Sequence, residues 1–481
     1  MTGHKEPFRY RRLADELTDQ IREGAYAPGE RLPSLRRLHR KLNLSVNTVR
    51  QAFQELEDRG LIESRPKSGF FVAPVSLQSL EMPDVPPPVA EPRPVEIGSM
   101  VNAVLRTIHD PEMLSLSSSA THTALLPTRR FARLIKEISA RELESLMGYA
   151  PAEGLPELRR QIARRTLGLL PGVAPEDVVI TSGCMEAVTL CLQAVAKPGD
   201  TIAIEAPTHF GFLQYFREMG LLAAEIPTHP RDGVDLDALE RLLNQTKVAA
   251  CLFMPNFHNP TGALMPDDRK ERLVRLLNNR EIPLIEDDIC GDMGHEDGPR
   301  PSMLQAFDRQ GLVMTCSSFS KTLAPGFRVG WALPGRRFRE RILRLKAGAT
   351  VCTAAPDQHL IARFLAEPGR DRHFRSLRSA LGRQVTRTAL AVQRHFPQGT
   401  RLAVPRGGSL LWIQLPAGAG GLELYRRALD ARIAILPGAA CAVSGGFSDF
   451  IRLGCGAPFT EETERGLRTL GRLVSDIRAG Q

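Results

Sequence analysis

Between Pro83 and Pro94, six of twelve residues are proline, and no other stretch restricts the folding of this chain so sharply. Proline fixes φ and carries no amide hydrogen, so such a run enters neither a helix nor the middle of a sheet. It extends instead, by about 3.1 Å per residue, as a semi-rigid spacer between two folded parts. The 481 residues are thereby divided into expected units at 1–76, 77–97 and 98–481.

The N-terminal unit has the periodicity of three helices and a hairpin. Tyr10, Leu13, Leu17 and Ile21 recur at helical spacing, and Gly24 with Pro28-Gly29 closes that helix. Ser34 is placed to cap a short second helix. Ser45 is placed to cap a third, which carries Val49, Phe53 and Leu56 inward and ends at Gly60. Leu61–Ser64 and Phe70–Val72 then predict two short strands around the turn Pro66-Lys67-Ser68-Gly69. Together these elements predict a winged helix-turn-helix. Residues 1–75 hold 14 Lys/Arg against 10 Asp/Glu, and the whole chain carries +9. This basic balance is compatible with a polyanion partner.

From about residue 98 the pattern changes. Val178–Thr181, Thr201–Glu205, Ala249–Met254, Ile282–Asp288, Val313–Ser318 and Val329–Leu333 are short apolar runs separated by segments long enough for crossover helices. That alternation predicts an α/β fold around a mostly parallel sheet, whose ligands bind beyond the carboxyl ends of the strands. No apolar run is long enough to span a bilayer, and residues 1–10 are polar, so neither a membrane span nor a signal peptide is expected. Eight scattered cysteines form no Cys-x-x-Cys pair. The expectation is reduced thiols in a cytoplasmic protein with no metal site.

The polar residues at the strand ends carry chemistry. Lys321 lies in Ser318-Phe319-Ser320-Lys321-Thr322-Leu323-Ala324-Pro325-Gly326-Phe327-Arg328, a pattern suited to a covalently held, phosphorylated aldehyde cofactor. The lysine would form a Schiff base, and Ser318 and Arg328 would hold the phosphate, with arginine donating two parallel bonds. Thr181-Ser182-Gly183-Cys184-Met185-Glu186 follows a strand and opens a helix, where free amides cradle phosphate. Asn259 is placed to donate to a ring hydroxyl oxygen and Asp287 to pair with a pyridine nitrogen. His209 is placed to stack on a ring, and Arg452 to clamp a substrate carboxylate. Taken singly, Asn259-Pro260-Thr261-Gly262 is an ordinary turn and His209 a structural histidine; their order at successive strand ends is what points to one site.

On these motifs, residues 98–481 resemble the fold-type-I aminotransferases that use pyridoxal 5′-phosphate. Residues 8–74 resemble the DNA-binding domain of GntR-type regulators, through Leu32-Pro33-Ser34-Leu35-Arg36-Arg37-Leu38 and Ser45-Val46-Asn47-Thr48-Val49-Arg50. The fusion resembles the MocR-type transcriptional regulators over nearly the whole chain. The resemblance implies a winged helix-turn-helix joined to an aminotransferase with a large parallel-sheet domain and a smaller α+β domain. It implies a homodimer in which Tyr149 reaches the partner's cofactor phosphate. It also implies cofactor contacts from Gly183, Cys184, Met185, His209, Asn259, Asp287, Ser318, Ser320, Lys321 and Arg328, with double-stranded operator DNA and an amino-compound effector as partners. The effector would exchange with Lys321 on the cofactor, and Arg452 would hold its carboxylate. An active aminotransferase with an accessory DNA-binding module is the alternative reading.

Some positions depart from the family pattern. Cys290 stands where relatives carry a tyrosine that bonds the ring oxygen, and cysteine is the weaker donor. Cys290 is expected to be a buried, inert thiol. His209 replaces a stacking tyrosine, and His258 stands where glutamine is common. In the N-terminal unit, Arg36, Ser45, Asn47, Thr48, Arg50 and Lys67 are the expected DNA contacts. Val46 replaces a common arginine and by spacing points either to DNA or to the core. Arg11, Arg12, Arg37 and Arg40 are expected to be solvated.

Overall fold

The computed structural model of the protein describes residues 9–22, 25–26, 29–65, 68–73, 80–86, 91–95, 104, 106–107, 110–141, 143–295, 298–443 and 445–480. The described residues from Arg9 to Ala73 fold as expected into helices Arg9–Arg22, Leu35–Leu42 and Val46–Asp58, followed by antiparallel strands Ile62–Arg65 and Gly69–Val72. The hydroxyl of Ser34 accepts the amide of Arg37, and that of Ser45 accepts the amide of Thr48 at 3.0 Å. Each cap satisfies an amide the helix leaves open, worth about 1 kcal/mol. Leu13, Leu17, Leu38, Val49, Phe53, Leu56, Ile62 and Val72 form the core of this head. Val46 is 36% exposed, so it faces outward and the alternative of a core position is set aside. Pro66 and Lys67 lie outside the described residues.

The described parts of the proline-rich segment are not a free spacer. Arg93 and Pro94 add an antiparallel edge to the large sheet, opposite Ala223 and Leu222. Proline is tolerated there because an edge strand leaves one side of its backbone unpaired. Upstream, Arg401 pairs with Glu81 at 3.0 Å and with Asp84 at 2.6 Å. The described parts at Glu81 and Asp84 and at Arg93–Pro94 are therefore each pinned to the body of the protein.

The large sheet runs in the order Arg93–Pro94, Leu222–His229, Thr201–Ala206, Ala250–Phe253, Leu284–Asp287, Val313–Ser318, Gly330–Leu333, Val179–Thr181, with Gly233–Val234 paired to Leu222–His229. All six expected strands are present. Leu222–His229 was not expected, because Glu225 and Pro227 break its apolar pattern. Gly330–Leu333 is antiparallel to both neighbours, so the remaining long strands share one direction and present their carboxyl ends on one side. Helices Cys184–Val195, Phe210–Met219 and Gly335–Ala349 cover one face, burying Val188, Phe212, Phe216 and Ile342. Leu236–Gln245 and Asp267–Asn278 cover the other, burying Leu239, Leu273 and Leu277.

A smaller antiparallel sheet orders Arg401–Ala403, Leu410–Gln414, Phe450–Gly454 and Leu436–Pro437. Its core contains the stacked pair Trp412 and Phe450, whose centroids are 5.2 Å apart. Helices Arg370–His395 and Glu461–Ala479 pack together against it. Among the described residues, no helix is long and apolar enough to cross a membrane, and no His/Cys/Asp/Glu group could hold a metal ion.

Candidate active site

Five parallel strands end around one cavity of about 180 Å³, lined among others by Cys184, His209, Asn259, Asp287, Ser320, Lys321 and Arg328. The shared strand direction is what converges them: Asp287 ends one strand, and Lys321 follows the end of the next. Lys321 Nζ donates to the carbonyl and hydroxyl oxygens of Ser119, both at 3.0 Å. Its own carbonyl accepts from the hydroxyl of Thr121 at 2.6 Å. Loss of water around the amine pulls its pKa below the ordinary lysine value.

Asp287 is 4% exposed. Its Oδ1 accepts from the amide of Ile289 at 3.0 Å and from the thiol of Cys184 at 3.3 Å. Burial outweighs these bonds and raises its pKa to about 6. The same burial pushes the Cys184 thiol well above its usual range. Cys290 lines the cavity, and burial pushes its thiol up to about 12, which accords with the expected inert thiol.

Arg328 folds back by a left-handed turn, with φ 49°. It donates to Ser320 Oγ at 3.2 Å and to the carbonyl of Ser182 at 3.2 Å. Arg328 therefore meets Ser320 rather than Ser318, whose hydroxyl accepts the amide of Ser320 at 3.2 Å and does not line the cavity. Gly183, with φ +89°, passes beneath the guanidinium at the entry to helix Cys184–Val195. Cys184 and Met185 in its first turn line the cavity.

Asn259 Oδ1 accepts from Arg452 Nη1 at 2.8 Å, and Asn259 Nδ2 lies 3.4 Å from His209 Nδ1. Arg452 is 1% exposed and also donates to the carbonyl of Ser117, while its Nε has no hydrogen-bond partner. It stands behind Asn259 instead of on the cavity surface. His209 loses water and faces the positive Arg452, which together lower its pKa to about 3. The ring is neutral at any ordinary pH. His258 also lines the cavity; its Nδ1 and Thr261 Oγ1 are 2.8 Å apart, and its Nε2 lies 3.2 Å from Glu205.

Tyr149 stands apart, 90% exposed on the surface. Sequence reasoning missed Ser119, Met254, Phe257 and Leu410, which also line the cavity. Only the serine run 117–119 was a signal, and it reads as an ordinary polar loop.

In the head, Ser45, Asn47 and Arg50 are exposed along the first turns of helix Val46–Asp58, Thr48 is half-buried, and Arg36 is exposed on Leu35–Leu42. Arg50 Nη1 lies 3.5 Å from Asn47 Oδ1. Ser45, Asn47, Thr48 and Arg50 cluster as polar side chains at the helix start.

Comparison with known proteins matches residues 9–72 to the gntR family of bacterial regulatory proteins and residues 111–470 to aminotransferase class I and II. The chain belongs to the MocR-type regulators. Two HTH-type transcriptional regulators of Escherichia coli, YjiR and YdcR, are each 35% identical to it over 97% of its length, covering 98% and 99% of their own. Among solved structures, the α-aminoadipate aminotransferase LysN of Thermus thermophilus, complexed with N-(5′-phosphopyridoxyl)-L-leucine, is 29% identical. It aligns with a TM-score of 0.74 over 80% of this chain and 97% of its own. This MocR-type protein is thus a GntR-family transcriptional regulator with an aminotransferase-like domain, and its head is a DNA-binding helix-turn-helix.

Proposed function

We propose that this regulator holds pyridoxal 5′-phosphate on Lys321 and uses it to sense an amino compound, its operator affinity changing in response. The carrying observation is the convergence of Lys321, Asp287, Asn259 and Arg328 on one cavity, with Gly183 beneath Arg328 and Arg452 bonded to Asn259 from behind. The residues fit the group. A cradle that only glycine can form underlies Arg328, a buried carboxyl with raised pKa awaits a cationic partner, and Arg452 Nε is buried and unbonded.

Bound there, pyridoxal 5′-phosphate supplies an aldehyde that captures amines reversibly and a ring that withdraws electrons. Arg328, the Ser320 hydroxyl and the amides opening helix Cys184–Val195 would hold its phosphate. Asp287 would keep the pyridine nitrogen protonated, the pairing returning its carboxyl to the ionised form. His209, held neutral, offers an uncharged ring face. Lys321, with its lowered pKa, presents more free amine than a solvated lysine. Arg452 would hold an effector carboxylate, oriented by Asn259.

On this reading the head spans 1–76, the connection 77–97 and the body 98–481, and Arg36, Ser45, Asn47, Thr48, Arg50 and Lys67 contact operator DNA. The protein would act in the cytoplasm as a homodimer, with Tyr149 reaching a partner's phosphate. The exposure of Tyr149 (90%) and of neighbouring Met147 (82%) supports that interface. Sedimentation equilibrium tests the dimer, and a monomer at micromolar concentration would refute it.

The test of the cofactor reading is the visible absorbance of the purified protein after incubation with pyridoxal 5′-phosphate. Lys321→Ala is expected to abolish the lysine-linked band, and an unchanged spectrum refutes the reading. Footprinting upstream of its own gene, with and without the cofactor, tests the regulatory half. The Arg452–Asn259 pair also supports a second reading, an aminotransferase that turns over. Repeated release of a 2-oxo acid from a panel of amino acids would favour that enzyme; stable uptake with altered DNA affinity would favour the sensor.

A further inference from the structure

Helix Arg370–His395 is 26 residues long, about 39 Å at 1.5 Å per residue, and it touches three parts of the molecule in turn. Near its start, His373 Nε2 lies 2.8 Å from the carbonyl oxygen of Thr322, the residue after Lys321. Leu377 and Leu381 then pack with Phe257, Met293 and Cys290, and Phe257 and Cys290 line the Lys321 cavity. Further along, Arg383 Nη1 stands 3.5 Å from Asp58 Oδ2, at the last residue of the recognition helix Val46–Asp58.

The two surfaces around that ion pair are complementary in charge. The head contributes Asp19 and Glu57 beside Asp58, its Asp15 and Glu55 being paired with its own Arg59; the long helix contributes Arg372, Arg375 and Arg387 beside Arg383. Burial raises the Asp58 carboxyl, and a hydrogen bond from Gln54 and the charge of Arg383 offset only part of that rise. Yet the surfaces barely close. Cavities of about 420 Å³ and 1020 Å³ flank the ion pair, and Arg383 and Asp58 remain 36% and 20% exposed. An ion pair this wet is weak and is screened by salt. The contact therefore restrains the head while leaving it easy to release.

We propose that the arginine-lined face of helix Arg370–His395 is a docking surface for the acidic rear of the DNA-reading head, held through Asp58 and Arg383. The DNA-reading end of Val46–Asp58 is then anchored, through its other end, to the helix that contacts the Lys321 loop and cavity wall. Docking itself requires no cofactor; its meaning as a restraint on DNA reading rests on the regulator proposed above.

Small-angle scattering of the full chain tests the docking. Arg383→Glu and Asp58→Arg each place like charges face to face, and each is expected to lengthen the maximum dimension relative to the native chain. The double exchange, Asp58→Arg with Arg383→Glu, is expected to restore the native profile, and ~0.5 M salt to reproduce the single variants. Single variants that superimpose on the native profile would overturn the proposal. So would a double exchange that stays expanded while its circular dichroism is native. Visible absorbance after adding pyridoxal 5′-phosphate is recorded on the same samples. A chain that takes up no cofactor yet expands and recovers as described keeps the docking and sinks the cofactor reading alone.

Discussion

Arg328 lies so close over Gly183 that a Cβ on the glycine would stand 2.3 Å from Nη2 and 2.9 Å from the guanidinium carbon. The glycine also holds φ +89°, a conformation other residues adopt only under strain. Gly330 also packs closely on this glycine, its own added Cβ 2.5 Å from the Gly183 carbonyl carbon. Gly183→Ala is therefore expected to push the guanidinium out of the cradle and weaken pyridoxal 5′-phosphate binding by at least about 10-fold, or about 1.4 kcal/mol. Titration followed by visible absorbance measures this. Native affinity in the variant would show that Arg328 is not the phosphate anchor.

Asp287 sets a stability slope in the cofactor-free protein. Its folded pKa is about 6 against an ordinary 3.8, so between these values the folded state holds a proton the unfolded chain has released. Stability from this group is complete below about pH 4 and is lost as pH rises through about 6. The loss amounts to roughly 3 kcal/mol at 1.36 kcal/mol per pH unit. Asp287→Asn is expected to raise the melting temperature at pH 7–8 without cofactor while lowering cofactor affinity. A variant less stable than the native chain at pH 8 contradicts this account.

His209 works in the opposite direction. Its folded pKa of about 3 lies below the ordinary 6.5, so the unfolded chain takes up a proton first as pH falls. Stability is lost progressively from about pH 6.5 downward. His209→Tyr removes the titrating ring and is expected to flatten denaturant midpoints between pH 4 and 6.5. Parallel pH profiles for the two proteins would exclude His209 as the cause.

Arg50 is exposed beside Asn47 and far from the cavity residues in sequence and contacts. Arg50→Ala is expected to remove specific operator binding and, if the guanidinium meets phosphate, to reduce the salt slope by about one. Its cofactor absorbance should match the native protein. Gel-shift titrations at several salt concentrations decide the point, and retained operator affinity would release Arg50 from this role.

Much of this architecture was legible because its signals are local. The Ser34 and Ser45 caps, the buried spacing of Val49, Phe53 and Leu56, and the six apolar strand runs are each written in a few adjacent residues. Direction and pairing are different. Gly330–Leu333 looks like its parallel neighbours in composition, and only a chain reversal after Lys321 makes it antiparallel. Leu222–His229 pairs with Thr201–Ala206 over six residues despite Glu225 and Pro227, because its neighbours supply the burial its own pattern lacks. In the site, Lys321, Asp287 and Arg328 carry distinctive chemistry that the sequence displays, and the fold brings them to one cavity. Ser119 reaches Lys321 across 202 positions, and nothing about a serine in a polar loop announces such a contact. The bond from Arg328 to the Ser320 hydroxyl was equally hidden, since it depends on which way a hydroxyl turns.

The recognition helix Val46–Asp58 divides its duties by position. Val49, Ala52, Phe53 and Leu56 are buried and hold the head together, while Ser45, Val46, Asn47 and Arg50 lie exposed at its start. Exchange at Val46, Asn47 and Arg50 costs the core nothing, whereas Ser45 exchanges freely only with another capping residue. A duplicated copy of this gene is thus free to drift toward a new operator through surface substitutions alone. The pocket around Lys321 inherits none of that freedom, since Gly183, Gly330 and Arg328 exclude one another's alternatives.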